Sequence, residues 1–137
     1  MADLSRFLKA QENTYETALM EINAGRKRSH WMWYIFPQIQ GLGFSSTAQY
    51  YAIENLEEAA AYIAHPVLGA RLIEISKALL KLDENDPRLV MGYPDDLKLR
   101  SCMTLFQIAA PDQPVFGQVL DKYFDGKPDG RTLDKLS

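Results

Sequence analysis

The sequence is poor in the residues that staple or metallate small proteins. Cys102 is the only cysteine among 137 residues, so no intramolecular disulfide can form and no cysteine cluster can hold a metal. That economy suits a reducing compartment, and a cytoplasmic, bacterial-type protein is the expectation. The two histidines, His30 and His65, stand far apart without cysteine or carboxylate at ligand spacing, which gives no basis for a metal site. Long apolar runs are missing as well: no uncharged stretch reaches the roughly 18 residues that a membrane span needs. Residues 1–9 do not read as a signal peptide, because Asp3 stands where positive charge is wanted and no apolar run follows. Net positive charge is lacking too. A formal charge of -3 argues against bulk attraction to nucleic acid, while leaving room for a local basic patch that holds phosphate. No Ser-His-Asp pattern, P-loop, HExxH string, internal repeat or low-complexity tract is present, and no cofactor is implied.

What remains is an ordinary globular composition, 47% hydrophobic and 24% charged, enough for one domain spanning residues 1–137 with a real core. Its apolar residues recur at helical spacing. Leu4, Phe7, Leu8, Tyr15, Ala18, Leu19 and Ile22 predict a single amphipathic helix over 4–24, with Asp3 as N-cap and Gly25 as the glycine that ends it. Ser29 is placed to cap a short helix reaching Phe36, which Pro37 stops. Gln38–Phe44, with two glycines, reads as a loop, and Ser45 or Ser46 caps a short helix ending near Ile53. Asn55 followed by Glu58 is a capping-box pattern opening a helix to about Ala64. Pro66 fits the first turn of a helix striped by Leu68, Leu72, Ile75, Leu79 and Leu82. The polar stretch 83–96 reads as the longest connection. Asp95 or Asp96 then caps a helix bearing Leu99, Cys102, Met103, Phe106 and Ala109; Pro114 opens another, closed by Gly126, and Thr132–Leu136 adds a last turn. Nothing alternates strictly enough for a sheet. The fold class is therefore all-α, one compact multi-helical domain of six or seven helices.

Chemistry concentrates in Arg26-Lys27-Arg28-Ser29-His30-Trp31-Met32-Trp33-Tyr34. Cations pair with phosphate, and indole and phenol faces stack on bases. Cations that follow a helix C-terminus also complement its dipole without any ligand. On a helix Trp31 and Trp33 point about 200° apart, so one of them belongs to the core. His30 is the candidate general acid or base, because histidine titrates near neutrality; His65, before Pro66, reads as a helix-start residue. The loop containing Gln38, Gly41 and Gly43 lets backbone approach a ligand closely, although it lacks the third glycine of a dinucleotide fingerprint. Tyr50 and Tyr51 follow on a short helix, one inward and one outward. A second polar cluster, Asp95, Asp96, Lys98, Arg100 and Ser101, gathers at a helix start, where capping alone would account for it. Cys102 lies on an apolar stripe and reads as an inert buried thiol.

With those residues in view, the chain closely resembles the DUF1810 family of bacterial proteins of unknown function, also called Rv1873-like. The likeness runs through Ala10-Gln11 and Tyr15, the whole string from Gly25 to Gln38, Gly41-Leu42-Gly43, Tyr51-Ala52-Ile53, Glu58-Ala59, Tyr62, His65 to Gly69, Arg71-Leu72, Asp95 to Lys98, Ser101, Met103 to Phe106 and Thr132-Leu133. The resemblance implies an all-helical fold and no established activity, so it transfers no catalytic residue. A shorter stretch, Ala48-Gln49-Tyr50-Tyr51 before an alanine-rich helix, is similar to NADAR-type domains, which process ADP-ribose-linked nucleosides. Together these readings give a small-molecule site for an anionic or nucleotide-like ligand, with N-glycosidic hydrolysis of ADP-ribose-type substrates as the enzymatic form. Trp31 or Trp33, Tyr34, Gln38 and Tyr50 would wall it, and Arg26, Lys27, Lys98 or Arg100 would hold the anion. His30 would be the acid or base, with Asp95 or Asp96 as carboxylate partner. The alternative is a non-enzymatic binding or regulatory module for a protein or RNA partner. The sequence does not specify an oligomeric state.

Overall fold

Turn chemistry and capping divide the chain into more helices than its apolar periodicity suggests. The computed structural model describes residues 3–136. Among them are ten helices: α1 (Ser5–Gln11), α2 (Tyr15–Asn23), α3 (Met32–Ile35), α4 (Ser46–Tyr51), α5 (Leu56–Ala64), α6 (Leu68–Leu80), α7 (Pro87–Met91), α8 (Asp95–Ala109), α9 (Val115–Phe124) and α10 (Gly130–Leu136). The all-α class holds, and the expected count of six or seven is corrected to ten, of which seven have at least seven residues. No strand is present among the described residues; one isolated parallel bridge pairs Ile39 with Ile53.

Several helix ends follow directly from their residues. Gly25, at φ 90°, closes α2 in a Schellman motif: its N–H donates to Ile22 O and the Arg26 N–H to Glu21 O. Asn55 Oδ1 accepts the Glu58 N–H at 2.9 Å, so Asn55 caps α5 as read, while Glu58 Oε1 accepts the N–H of Glu54, one residue before the N-cap, at 2.9 Å instead of closing a reciprocal capping box. Ser45 Oγ accepts the Ala48 N–H and opens α4. His65 Nδ1 accepts the N–H groups of Val67 and Leu68 at 3.1 and 3.3 Å, which makes it the residue that starts α6.

Other expectations are corrected. The single helix over 4–24 is two, α1 and α2, broken at 12–14; Asn and Thr favour turns, and Gln11 is drawn inward, donating to Tyr34 O and Tyr62 Oη. Asp3 sits one residue before the N-cap position and still accepts the Ser5 N–H at 3.0 Å. Ser29 does not cap α3, whose N-cap Trp31 makes no side-chain cap bond. Pro66 precedes α6, which begins at Leu68. The 83–96 connection contains α7, with Asp86 Oδ1 accepting the Arg88 N–H and Pro87 in the first turn. A cis Tyr93–Pro94 bond follows it. Neither Asp95 nor Asp96 caps α8 through its side chain.

One hydrophobic core unites the helices. Helix α8 packs on α5 and α9, and α6 packs on α2, α5 and α9; α7 and α10 lean on α8, while α3 bridges α1 and α4. Leu68, Leu72, Ile75 and Leu79 from α6 and Leu99, Cys102, Met103 and Phe106 from α8 belong to this core, all essentially sealed from solvent. Each such side chain contributes about 1.5–3 kcal/mol of burial. No helix among the described residues is long and apolar enough to cross a membrane.

Candidate functional site

The basic-aromatic string is organised by a residue outside it. Glu21 lies on the buried face of α2 between Ala18 and Ile22, only 5% exposed. Its Oε1 accepts the N–H groups of Arg28 and Ser29 and the Trp31 indole Nε1–H, at 2.8, 2.9 and 2.9 Å, and its Oε2 accepts the Ser29 hydroxyl. Burial alone would raise this carboxyl; the four hydrogen bonds outweigh it and hold the pKa at about 2. The segment 26–31 is thus wound around a buried carboxylate, and Trp31 is fixed in the core with no exposed surface.

A second carboxylate ties that segment to α8. Asp95 binds Lys27 Nζ through Oδ2 at 2.8 Å and Lys98 Nζ through Oδ1 at 3.0 Å. Burial raises the Asp95 carboxyl, and the hydrogen bonds and charges of the two lysines more than compensate, leaving its pKa lowered. Each lysine also stands over a tryptophan: Lys27 Nζ is 4.9 Å from the Trp31 ring centre and Lys98 Nζ is 4.2 Å from that of Trp33.

Trp33, unlike Trp31, is only partly buried, and beside it opens a cleft of about 250 Å³. One wall is Trp33, Gln38 and the Leu42–Gly43 turn; the other is Pro94, Leu97, Lys98, Arg100 and Ser101, with Asp129 and Arg131 from the start of α10. Gly43 is required for this closeness, since a Cβ there would lie 2.7 Å from Ala48 Cβ and 3.2 Å from the Trp33 ring. Two arginines brace the walls without using up their donors. Arg131 Nη2 donates to Leu42 O at 3.2 Å, and Arg100 donates through Nε and Nη2 to the carbonyls of Lys127 and Pro128, both at 2.9 Å. Asp129 Oδ2 accepts from the Ser101 hydroxyl, the Thr132 N–H and the Thr132 hydroxyl, at 2.9, 3.2 and 2.6 Å. Gln38 is 7% exposed, and its Nε2 is buried without a hydrogen-bond partner. An unsatisfied buried amide costs about 1–3 kcal/mol. Lys98, already paired with Asp95, and the arginines Arg100 and Arg131 stand against Asp129 here, and the remaining positive charge favours an anion.

The sequence candidates distribute unevenly. Trp33, Gln38, Gly43, Lys98 and Arg100 come together in the cleft. Gly41 lies behind it, lining a narrow slot with Tyr51 and Ala48. His30 is exposed and lines none of these cavities. Asp95 is engaged by its two lysines, and Asp96 is buried with Oδ1 unpartnered, outside the cleft wall. Arg26 and Lys27 border a separate depression with Arg88, Leu89, Val90 and Gly92. Trp31 is core. Tyr34 packs against Tyr51 at 5.1 Å between ring centres, and Tyr50, 60% exposed, meets Tyr51 edge-on. Sequence reasoning missed Glu21, Asp129 and Arg131. An acid on the apolar stripe of α2 was a signal for the first; Asp129 before Gly130 and Thr132 was a capping signal for the second. Among the described residues no group of three His, Cys, Asp or Glu is placed to hold a metal ion.

The profile of the DUF1810 family, described as a protein of unknown function, matches residues 1–136. The chain belongs to that family. The crystal structure of the conserved hypothetical protein Rv1873 from Mycobacterium tuberculosis is similar to this DUF1810 chain at 46% sequence identity, with a TM-score of 0.96, covering 98% of this chain and 96% of that one. No curated protein matches the DUF1810 chain. Neither description names an activity.

Proposed function

We propose that this DUF1810 protein binds a small anionic, nucleotide-like molecule in the cleft between Trp33 and Arg131. The observation that carries the proposal is the meeting of a partly exposed indole, a buried unpartnered Gln38 amide and the cations Lys98, Arg100 and Arg131 around one cavity. Arginines hold phosphate or carboxylate through paired N–H donors, and an indole face stacks on a planar ring for about 1–3 kcal/mol. The enzymatic form of the reading is N-glycosidic hydrolysis of ADP-ribose-type substrates, which needs a carboxylate near the scissile bond. Asp129, held by Ser101 and Thr132, is the carboxylate on the cleft wall.

The experiment is a thermal-shift screen of nucleotides and ADP-ribose compounds on the wild-type protein and on Arg131→Ala and Trp33→Ala, with chromatography for released base. Ligand at about 100 times its Kd adds about 2.7 kcal/mol of stability, a readily measured rise in Tm. Stabilisation that is present in the wild type and lost in folded variants supports the reading. Equal shifts in all three proteins would contradict it.

A second reading, a binding module for RNA or a protein, draws on exposed Arg26 and Arg88, which share a depression with Leu89, on Tyr93 under Arg88, and on exposed Arg28 in the same run as Arg26; Leu89 and Tyr93 are 60% and 66% exposed. It predicts binding that weakens with salt, is lost in Arg26→Ala with Arg28→Ala, and is untouched by Arg131→Ala.

A further inference from the structure

We infer that the cleft accommodates a single ribonucleotide unit, with Asp129 as the residue that reads the sugar; this rests on the proposed anion-binding role of the same cleft. Size is the first argument. At about 250 Å³ the cavity falls below the roughly 300–1,000 Å³ of sites that enclose drug-sized ligands. One base, one ribose and one phosphate are the most that its walls can cover, and the second half of a dinucleotide such as ADP-ribose lies outside.

Chemistry is the second argument, because the wall carries both kinds of polar group. A site for a simple anion needs only donors, yet Asp129 contributes a carboxylate to the same lining as Arg100 and Arg131. Its Oδ2 is occupied by Ser101 and Thr132, while its other oxygen takes part in none of those bonds. A carboxylate beside an anionic ligand is repulsive unless that ligand also brings hydrogen-bond donors, and a ribose diol brings two. Gln38 supplies the reverse: it lines the same cleft with its Nε2 buried and unpartnered, and a turn of that side chain toward the cavity would let the amide donate to a ring carbonyl or ring nitrogen. Trp33, with Lys98 over one face of its indole, is the aromatic wall beside that ring. Cations for phosphate, a carboxylate for hydroxyls, an amide for a base edge and an indole for its face are the complement of one ribonucleotide.

Calorimetric titration tests this with adenosine and uridine 5′-monophosphates, their 2′-deoxy counterparts, ADP-ribose and inorganic phosphate. The wild type is expected to bind ribonucleotides about tenfold more tightly than deoxyribonucleotides, the equivalent of one hydrogen bond to a charged group. ADP-ribose should bind no more tightly than the monophosphates. Asp129→Asn keeps an acceptor for Ser101 and Thr132 and should bring ribo and deoxy affinities level; Gln38→Leu should weaken both about equally. Equal ribo and deoxy affinities in the wild type would overturn the inference without any variant. ADP-ribose binding tenfold or more tightly than the monophosphates would overturn it on size. Inorganic phosphate binding as tightly as the nucleotides would overturn it while leaving an anion site in place. Absence of binding by every compound would remove both this inference and the reading it rests on.

Discussion

Two tryptophans two positions apart meet opposite fates. Trp31 is sealed in the core with its indole N–H on Glu21, whereas Trp33 stands partly open on the cleft wall. Each has a lysine over its ring, and both lysines end on the same carboxylate, Asp95. The difference lies in what surrounds that shared arrangement. The Trp31 indole N–H is answered by Glu21, whereas on the cleft wall with Trp33 the Gln38 Nε2 is left unanswered. A satisfied buried network rigidifies a fold, and an unsatisfied one invites a ligand. Within the basic-aromatic string, Trp31 is therefore scaffold and Trp33 is cleft wall.

The largest expected effect separates the halves on stability. Trp31→Ala should cost about 3–5 kcal/mol in chemical denaturation, as for other large aromatic deletions. Trp33→Ala should cost only about 1–2 kcal/mol, and similar losses for the two would erase the contrast. Next comes Glu21→Ala, which strands the Trp31 and Ser29 donors. It should cost about 3 kcal/mol and lower Tm by roughly 10 °C, with no selective effect on ligand affinity beyond the loss of folded protein.

An acid titration of stability follows from the same carboxylate. The folded pKa of Glu21, about 2, lies below the ordinary 4.5. Its stabilisation is therefore complete above pH 4.5 and disappears as pH falls through about 2, with an amplitude on the order of 3 kcal/mol. Asp95, also lowered, adds to the slope with the same sign. Glu21→Gln should flatten that acid limb, and an unchanged limb would show that other groups dominate it. Smallest in stability, Arg131→Ala should shift unfolding by no more than about 0.5 kcal/mol while weakening anion binding about tenfold.

Local signals were legible in the sequence and distant ones were not. Gly25, Asn55 with Glu58, and Ser45 act through neighbours a few residues away, and each helix end was readable from residue type. The break between α1 and α2 was hidden because apolar spacing continues through it, although Asn13 and Thr14 mark it locally; the turn of Gln11 to Tyr34 and Tyr62 that accompanies it is a long-range contact. Asp86-Pro87 was a readable cap for α7, masked by the polar composition around it. Asp95 resembled a cap and is instead the link between Lys27 and Lys98. The cleft was half visible for the same reason. Trp33, Gln38, Gly43, Lys98 and Arg100 stand out by type, whereas Asp129 and Arg131 join them only because α10 folds back on α8.

The central claim, that one string serves core and cleft at positions two residues apart, is tested most directly by fluorescence of single-tryptophan proteins. With only two tryptophans in the chain, Trp31→Phe leaves Trp33 as sole reporter and Trp33→Phe leaves Trp31. Titration with adenosine 5′-monophosphate should change the emission of the Trp33 reporter in a saturable way, and acrylamide should quench it readily. The Trp31 reporter should stay blue-shifted, resist acrylamide and ignore the nucleotide. A Trp31 reporter quenched as easily as Trp33, or a nucleotide response carried by Trp31 alone, would contradict the account.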